Sequence, residues 1–199
     1  MSYIFLVRHG ETQWNKEKRY QGTSDIPLSL AGIKKVNTLA RASRYLKAEV
    51  VYSSVLQRAQ QTASIMTRQM KVKPQLDARL NEMNFGCWEG KTAEELLKAH
   101  DASYERFLNG EWMRPFGGES MQEVQLRIRK FWWECLKRHH GQNVMIVSHA
   151  GPIKMIVLEA LGLSRKHLFQ MHLDTSSLTV LERYDSFFQL IKFNYVYDL

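Results

Sequence analysis

The sequence predicts an α/β protein: a three-layer sandwich with a mostly parallel central sheet, an antiparallel strand, and helices on both faces. Three observations carry that expectation. Short, unbroken β-prone runs recur at residues 3–7, 50–52 and 144–147, the pattern of strands buried on both faces. Between them lie stretches with apolar residues three and four apart, the period of an amphipathic helix. Near the C-terminus, residues 177–183 and 187–193 flank Tyr184-Asp185-Ser186, a hairpin-like pattern that supplies the antiparallel element.

Each helix has its own signal. Ser29 is placed to cap a helix whose inner stripe is Leu30, Ile33, Val36, Leu39 and Ala40. Ser54 with Gln57 has the spacing of a capping box, ahead of Leu56, Ala59, Ala63, Met66 and Met70. Ser120 and Glu123 repeat it ahead of Val124, Ile128, Phe131 and Cys135. Pro152 falls where a helix begins after the third strand, a position proline tolerates. Strands alternating with helices favour parallel pairing with both faces covered. Residues 84–119 are less regular, rich in glycine, aromatics and charge, and read as an insertion near the strand ends. Residues 1–199 are expected to form a single domain.

Composition narrows the class. The 199 residues are 44% hydrophobic and 24% charged, with mean hydropathy −0.38, enough apolar side chain for a substantial core. No stretch approaches the roughly 18 apolar residues of a membrane span. Cys87 and Cys135 fit buried free thiols in a reducing cytoplasm rather than a disulfide framework. The net charge is +8, from 28 Lys and Arg against 20 Asp and Glu. The cations look scattered and no run reaches five, so a phosphate-bearing small molecule is expected rather than nucleic acid or membrane.

The chemistry gathers at strand ends. Arg8-His9-Gly10-Glu11-Thr12 follows the first strand, Arg58 opens the helix after the second, and Ser148-His149-Ala150-Gly151 follows the third. Ligands of open α/β sheets bind beyond the carboxyl ends of strands, where helix N-termini add N–H donors. Two histidines and two arginines on one rim make a phosphate-sized cationic pocket. A single histidine at a strand end would carry little weight; three strand ends converging carry much more.

These blocks resemble the histidine phosphatase superfamily, in its phosphoglycerate mutase-like branch. Leu6-Val7-Arg8-His9-Gly10-Glu11-Thr12 with Asn15, Arg58 in Leu56-Gln57-Arg58-Ala59, Glu82 in Leu80-Asn81-Glu82-Met83, and His149 in Val147-Ser148-His149-Ala150-Gly151 occur in the family's order. The resemblance implies a phosphohistidine formed on His9, with Arg8 and Arg58 holding the transferring group and His149, if protonated, sharing its charge. It implies that Glu82 protonates the leaving alkoxide and then activates water. Thr12, Asn15, Gln21, Gly22 and Ala150 are the implied substrate contacts. Trp14, Tyr20, Trp88, Trp112 and Met113 are candidates for an apolar wall, with core packing expected for at least half of them, and Lys91 and Arg114 are candidates for a second anion contact.

No cofactor or metal is expected, because fixed cations take the place of a metal ion. The adjacent pair His139-His140 reads as solvated. Glu82 and His149 lie only 67 positions apart, where the family's true phosphoglycerate mutases carry a longer insertion, so the resemblance implies net hydrolysis over mutase chemistry; a phosphoglycerate mutase or sugar-bisphosphatase using the same intermediate is the alternative. A non-catalytic phosphate-binding module would need neither His9 nor Glu82. The block from Leu80 to Gly90 resembles bacterial α-ribazole phosphatases and small broad-specificity phosphatases, acting as a monomer or homodimer.

Overall fold

The computed structural model describes residues 1–111 and 113–197. In chain order the elements are β1 (Ser2–Arg8), α1 (Gln13–Lys16), α2 (Leu30–Ala42), β2 (Val50–Ser53), α3 (Gln57–Met66), β3 (Gln75–Leu76), α4 (Ala93–Lys98), α5 (Ala102–Leu108), α6 (Met121–Arg138), β4 (Val144–Ser148), α7 (Ala150–Leu161), β5 (Leu178–Arg183) and β6 (Phe188–Tyr195). Short 3-10 turns lie at Ala78–Leu80, Gly86–Trp88 and Arg165–Gln170. The strands form one sheet ordered β3-β2-β4-β1-β5-β6. Pairings from β3 through β1 are parallel, and β5 and β6 run antiparallel to their neighbours. This is the expected three-layer sandwich: β5 alone runs against the other strands, and β6, antiparallel to β5, points the same way as β1.

The alternation of side chains along the strands explains the layers. Ile4, Leu6, Val144 and Ile146 face one way and meet α6, α7 and the segment around Trp88 and Tyr104. Phe5, Val7, Met145 and Val147 face the other and meet Val36 and Leu39 of α2 and Ala59 and Ala63 of α3. Full burial of each aliphatic side chain here stabilises by about 1.5–3 kcal/mol. Two apolar layers therefore clamp β1 and β4, whose ends carry the residues of interest.

Several local expectations need correcting. Ser54 is not the cap of α3: Leu56 is, without a side-chain cap. The Ser54 hydroxyl lies instead 2.7 Å from His149 Nε2, and Asp25, from a distant loop, accepts the Gln57 N–H at 2.6 Å. Met70 falls beyond the helix, whose C-cap is Thr67. β3 has two residues, both exposed, too few to display a period. Cys135 is buried but Cys87 is exposed, because the turn Gly86–Trp88 sends Trp88 inward and Cys87 outward. His139 is half-buried, with Nε2 2.9 Å from the Tyr52 hydroxyl, so only His140 of that pair is exposed. Ser29 and Ser120 do cap α2 and α6. Residues 84–119 contain α4 and α5, with Asp101 capping α5 and accepting a 3.0 Å bond from Trp88 Nε1.

Candidate active site

Register brings the first histidine and the second together. Arg8 pairs with Ser148 across β1 and β4, so the next residues, His9 and His149, emerge side by side with ring centroids 4.9 Å apart. Both are buried. The His9 N–H donates to the Ser148 carbonyl at 3.0 Å, and the His9 carbonyl accepts from Ser176 N–H at 3.0 Å, which fixes the strand end. His9 Nδ1 lies 2.7 Å from the Gly10 carbonyl. A carbonyl oxygen only accepts, so Nδ1 carries the proton and Nε2 keeps its lone pair. Burial, then Arg58 and Arg8, hold the His9 pKa well below its ordinary value, against a weaker pull from Gly10. The ring is held neutral with Nε2 free to accept.

The charge of His149 is set by its surroundings. Burial, then Arg58, His9 and Arg8, push its pKa well below the ordinary range and favour the neutral ring. Protonation there requires the negative charge of a bound phosphoryl group to offset the neighbouring cations.

The arginines are held by backbone carbonyls rather than by acids. Arg58, fully buried on the first turn of α3, donates to Gly22 O at 2.7 Å and Ser24 O at 2.9 Å. Burial brings its pKa down to about 10. Arg8 donates to the Leu173 carbonyl. The loop that carries Gly22 and Ser24 is pinned by Glu89, which accepts from Thr23 N–H and Ser24 N–H, each at 2.9 Å. Gly22 has φ +52 and any side chain there would collide with the Glu89 carboxylate, so only glycine presents its carbonyl to Arg58 in this way.

Glu82 arrives on irregular backbone. Its Oε2 accepts from Gly151 N–H at 3.3 Å, beside His149, and its Oε1 from Met83 N–H at 3.0 Å. A Cβ at Gly151 would stand 2.5 Å from Oε1, so glycine there makes room for the carboxylate. Arg127 of α6 ties the segment down, donating to Arg79 O at 2.6 Å, Asn81 O at 2.7 Å and Glu82 O at 3.1 Å. Glu119 holds Arg127 in turn at 2.9 Å and accepts from Asn84 N–H at 2.9 Å. Arg79 pairs with Asp77 and Glu134, leaving Glu82 outside that network.

Of the remaining expected contacts, Thr12 caps α1, and its hydroxyl lies 3.0 Å from Oε1 of the buried Gln21. Asn15 gives its oxygen to Thr12 N–H at 3.0 Å. Ala150 opens α7. Three of the five candidate wall residues pack in the core, in line with the expectation for at least half of them. Trp88 is fully buried in the core, Tyr20 packs on Phe85 and Tyr104, and Met113 packs on the same core. Trp14 is half-buried near Gly90, and Trp112 lies outside the described residues. Lys91 is exposed, and Arg114 is engaged by Glu123 at 2.5 Å. A cavity of about 160 Å³ does adjoin Glu82, but Met83, Phe85, Phe107, Met155, Leu168 and Phe169 contribute its apolar lining, with Lys154 at its edge. Ser24, Ser54, Glu89, Glu119 and Arg127 had no signal in the sequence, because each acts through a contact with residues far away in the chain.

Four buried polar atoms around His9 have no protein partner: Arg8 Nε, Arg58 Nε, His149 Nδ1 and Ser176 Oγ. Leaving such a group unpaired costs about 1–3 kcal/mol. Four in one place describe a site finished by a ligand, and donors of this kind suit an anion. Among the described residues no three His, Cys, Asp or Glu side chains are grouped as metal ligands.

A neutral imidazole facing unpaired cationic donors on one strand rim defines a phosphoryl-transfer enzyme. The chain belongs to the histidine phosphatase superfamily (branch 1), whose model matches residues 4–196, and it is a phosphoric monoester hydrolase of that family. It is 31% identical to phosphoserine phosphatase 1 of Hydrogenobacter thermophilus, over 98% of this chain and 92% of that one. It is 34% identical to the protein named probable phosphoglycerate mutase GpmB of Enterobacter sp. strain 638, over 94% and 87%. Among solved structures it superimposes on the α-ribazole phosphatase of Shigella flexneri with TM-score 0.89 and 28% identity, over 97% and 96% of the two chains.

Proposed function

We propose that the chain hydrolyses small-molecule phosphomonoesters through a phosphohistidine at Nε2 of His9. The observation that carries this reading is the set of unpaired donors around a neutral His9 whose tautomer exposes Nε2. In the first half-reaction the Nε2 lone pair attacks phosphorus in line and the ester oxygen leaves. Arg8, Arg58 and His149 share the charge on the equatorial oxygens, and the Asn15 amide and the Ala150 N–H add neutral donors. Glu82 gives its proton to the leaving oxygen. In the second half-reaction Glu82 takes a proton from water, the water oxygen attacks phosphorus, and the P–N bond breaks to regenerate neutral His9.

The apolar cavity beside Glu82 favours leaving groups with an apolar body, which supports an α-ribazole phosphate-like ester. A carboxylate-bearing ester such as phosphoserine is the second reading, favoured by Lys154 at the cavity edge, whose pKa is lowered by burial. The match over residues 4–196 supports one domain. Free cysteines suit a cytoplasmic enzyme, and no helix among the described residues is long and apolar enough to cross a membrane. We read the assembly as a monomer or homodimer acting on small phosphate esters, with no nucleic-acid or membrane partner.

The test is a phosphate-release panel with EDTA present: α-ribazole 5'-phosphate, phosphoserine, 3-phosphoglycerate, sugar phosphates and nucleotides. Free phosphate is expected, with the highest kcat/KM on the ester with the apolar alcohol. Isomerisation of phosphoglycerate without phosphate release, or activity abolished by EDTA and restored by a divalent ion, contradicts the reading.

A further inference from the structure

The net charge is not scattered as the sequence pattern suggested. Residues 26–76 hold nine Lys and Arg and one acid, Glu49, so this stretch alone carries 9 − 1 = +8, and the rest balances at 19 against 19. Arg58 turns into the active site, and the other eight cations are exposed. Three of them, Arg41, Arg44 and Arg68, line a cavity of about 250 Å³ at the C-terminal ends of α2 and α3. Ile65 and Met66, both buried, and the half-buried Met70 supply apolar lining; no carboxylate takes part.

This cluster differs from five arginines elsewhere among the described residues. Arg19, Arg79, Arg106, Arg114 and Arg127 each meet a carboxylate within 3.1 Å. Arg41, Arg44 and Arg68 have no ion pair among the described residues, and the nearest side-chain partner of Arg68 is the Asn37 oxygen at 3.4 Å. Helix dipoles attract a cation into a last turn, which accounts for Arg41. α3 has no basic residue in its last turn, and Arg44 and Arg68 lie past the caps Ser43 and Thr67. Three guanidiniums around one small cavity repel one another unless an anion lies between them.

We propose that this cavity is a second anion site, taking a nucleoside diphosphate: the tandem phosphoryl groups meet the three guanidinium forks, and the base lies on Ile65, Met66 and Met70. Arginine forks match phosphate oxygens in pairs, and methionine sulfur packs well against flat rings. The site is separate from the catalytic pocket. Arg58 and Arg68 are ten residues apart along α3 and its extension, roughly 15 Å at 1.5 Å per residue, so one ligand does not reach both.

Two non-hydrolysable probes test it by calorimetry at low salt: methylenediphosphonate, and the α,β-methylene analogue of ADP. The parent is expected to bind the ADP analogue with one more equivalent than the Arg41→Gln/Arg44→Gln/Arg68→Gln variant, and at least tenfold more tightly than methylenediphosphonate at that extra site. The variant should hydrolyse p-nitrophenyl phosphate at the parent rate, which shows it folded; if it does not, Arg44→Gln alone should weaken the extra site several-fold. Equal affinity for both probes removes the base from the proposal and leaves inorganic diphosphate in its place. The same stoichiometry in parent and variant overturns it, as does an equal loss in a Lys137→Gln/Lys166→Gln control, where exposed lysines elsewhere are neutralised.

Discussion

The two ends of the active site are built by different means. The phosphate end stands on β1, β4 and the start of α3, where strand register and two apolar layers fix His9, His149 and Arg58 in buried positions. The acid end stands on a 3-10 turn and the loop after it, where Glu82 is half-buried and its backbone is held by Arg127. The first end is positioned by the fold itself. The second is positioned by one arginine and its partner Glu119. The comparison teaches that the proposed nucleophile and the proposed acid can fail independently.

His9→Ala should have the largest effect, a loss of at least 10⁴-fold in kcat on every ester, because no step survives without the nucleophile. The variant should stay folded, since the ring contributes to a polar pocket rather than to either apolar layer. Near-normal turnover in steady-state assays would place the nucleophile elsewhere.

Glu82→Gln should cost about 10²–10⁴-fold on alkyl esters, the usual range for a lost general acid or base. On p-nitrophenyl phosphate the first half-reaction should survive, since that leaving group needs little protonation, and a burst of nitrophenol should precede slow turnover. Equal losses on both substrates without a burst would make Glu82 a structural partner.

Arg127→Ala should act on the same end more weakly. It touches neither His9 nor the arginine cradle, so kcat on alkyl esters should fall about 10–100-fold, by analogy with other groups that orient a catalytic residue. KM and the p-nitrophenyl phosphate burst should change little, and Arg127→Lys should restore part of the loss. A fall in both substrates alike would indicate general loosening of the fold.

The phosphate end has a smaller signature in stability. His9 and His149 have folded pKa values depressed below the ordinary 6.5, so the unfolded chain binds more protons there. Their neutral burial is fully accommodated above about pH 6.5, and stability falls as pH drops below it. Each contributes a slope of about 1.4 kcal/mol per pH unit until its folded pKa is reached. Urea melts at pH 7.5, 6.5 and 5.5 should show this fall, and His9→Ala should be flatter by one histidine's share. Parallel curves for parent and variant would contradict a buried neutral His9.

How much was legible follows the same division. Residues carried by long periodic elements could be placed from the sequence: three β-prone runs with helices between them set His9, Arg58 and His149 on one rim. Glu82 was legible only through the family resemblance, because a 3-10 turn of three residues has no period to read. Glu89 and Arg127, which position the Arg58 loop and Glu82, were invisible, since these partners lie 45 or more residues away in sequence. The Ser54 capping pattern misled for a related reason: its hydroxyl meets His149, 95 residues on. Which aromatics line the pocket was not legible, because large rings serve a core as readily as a pocket, as Trp88 does.

The central claim is that Nε2 of His9 carries the phosphoryl group, and one trapping measurement tests it. Glu82→Gln is mixed with p-nitrophenyl phosphate, quenched in base during the burst, digested, and mapped by mass spectrometry with separation of the two phosphohistidine isomers. The account predicts one phosphoryl group on the peptide that carries His9, as the Nε2 isomer, in an amount equal to the burst. Phosphate on a serine or cysteine, on Nδ1 of His9, or a burst with no phosphorylated residue would contradict it.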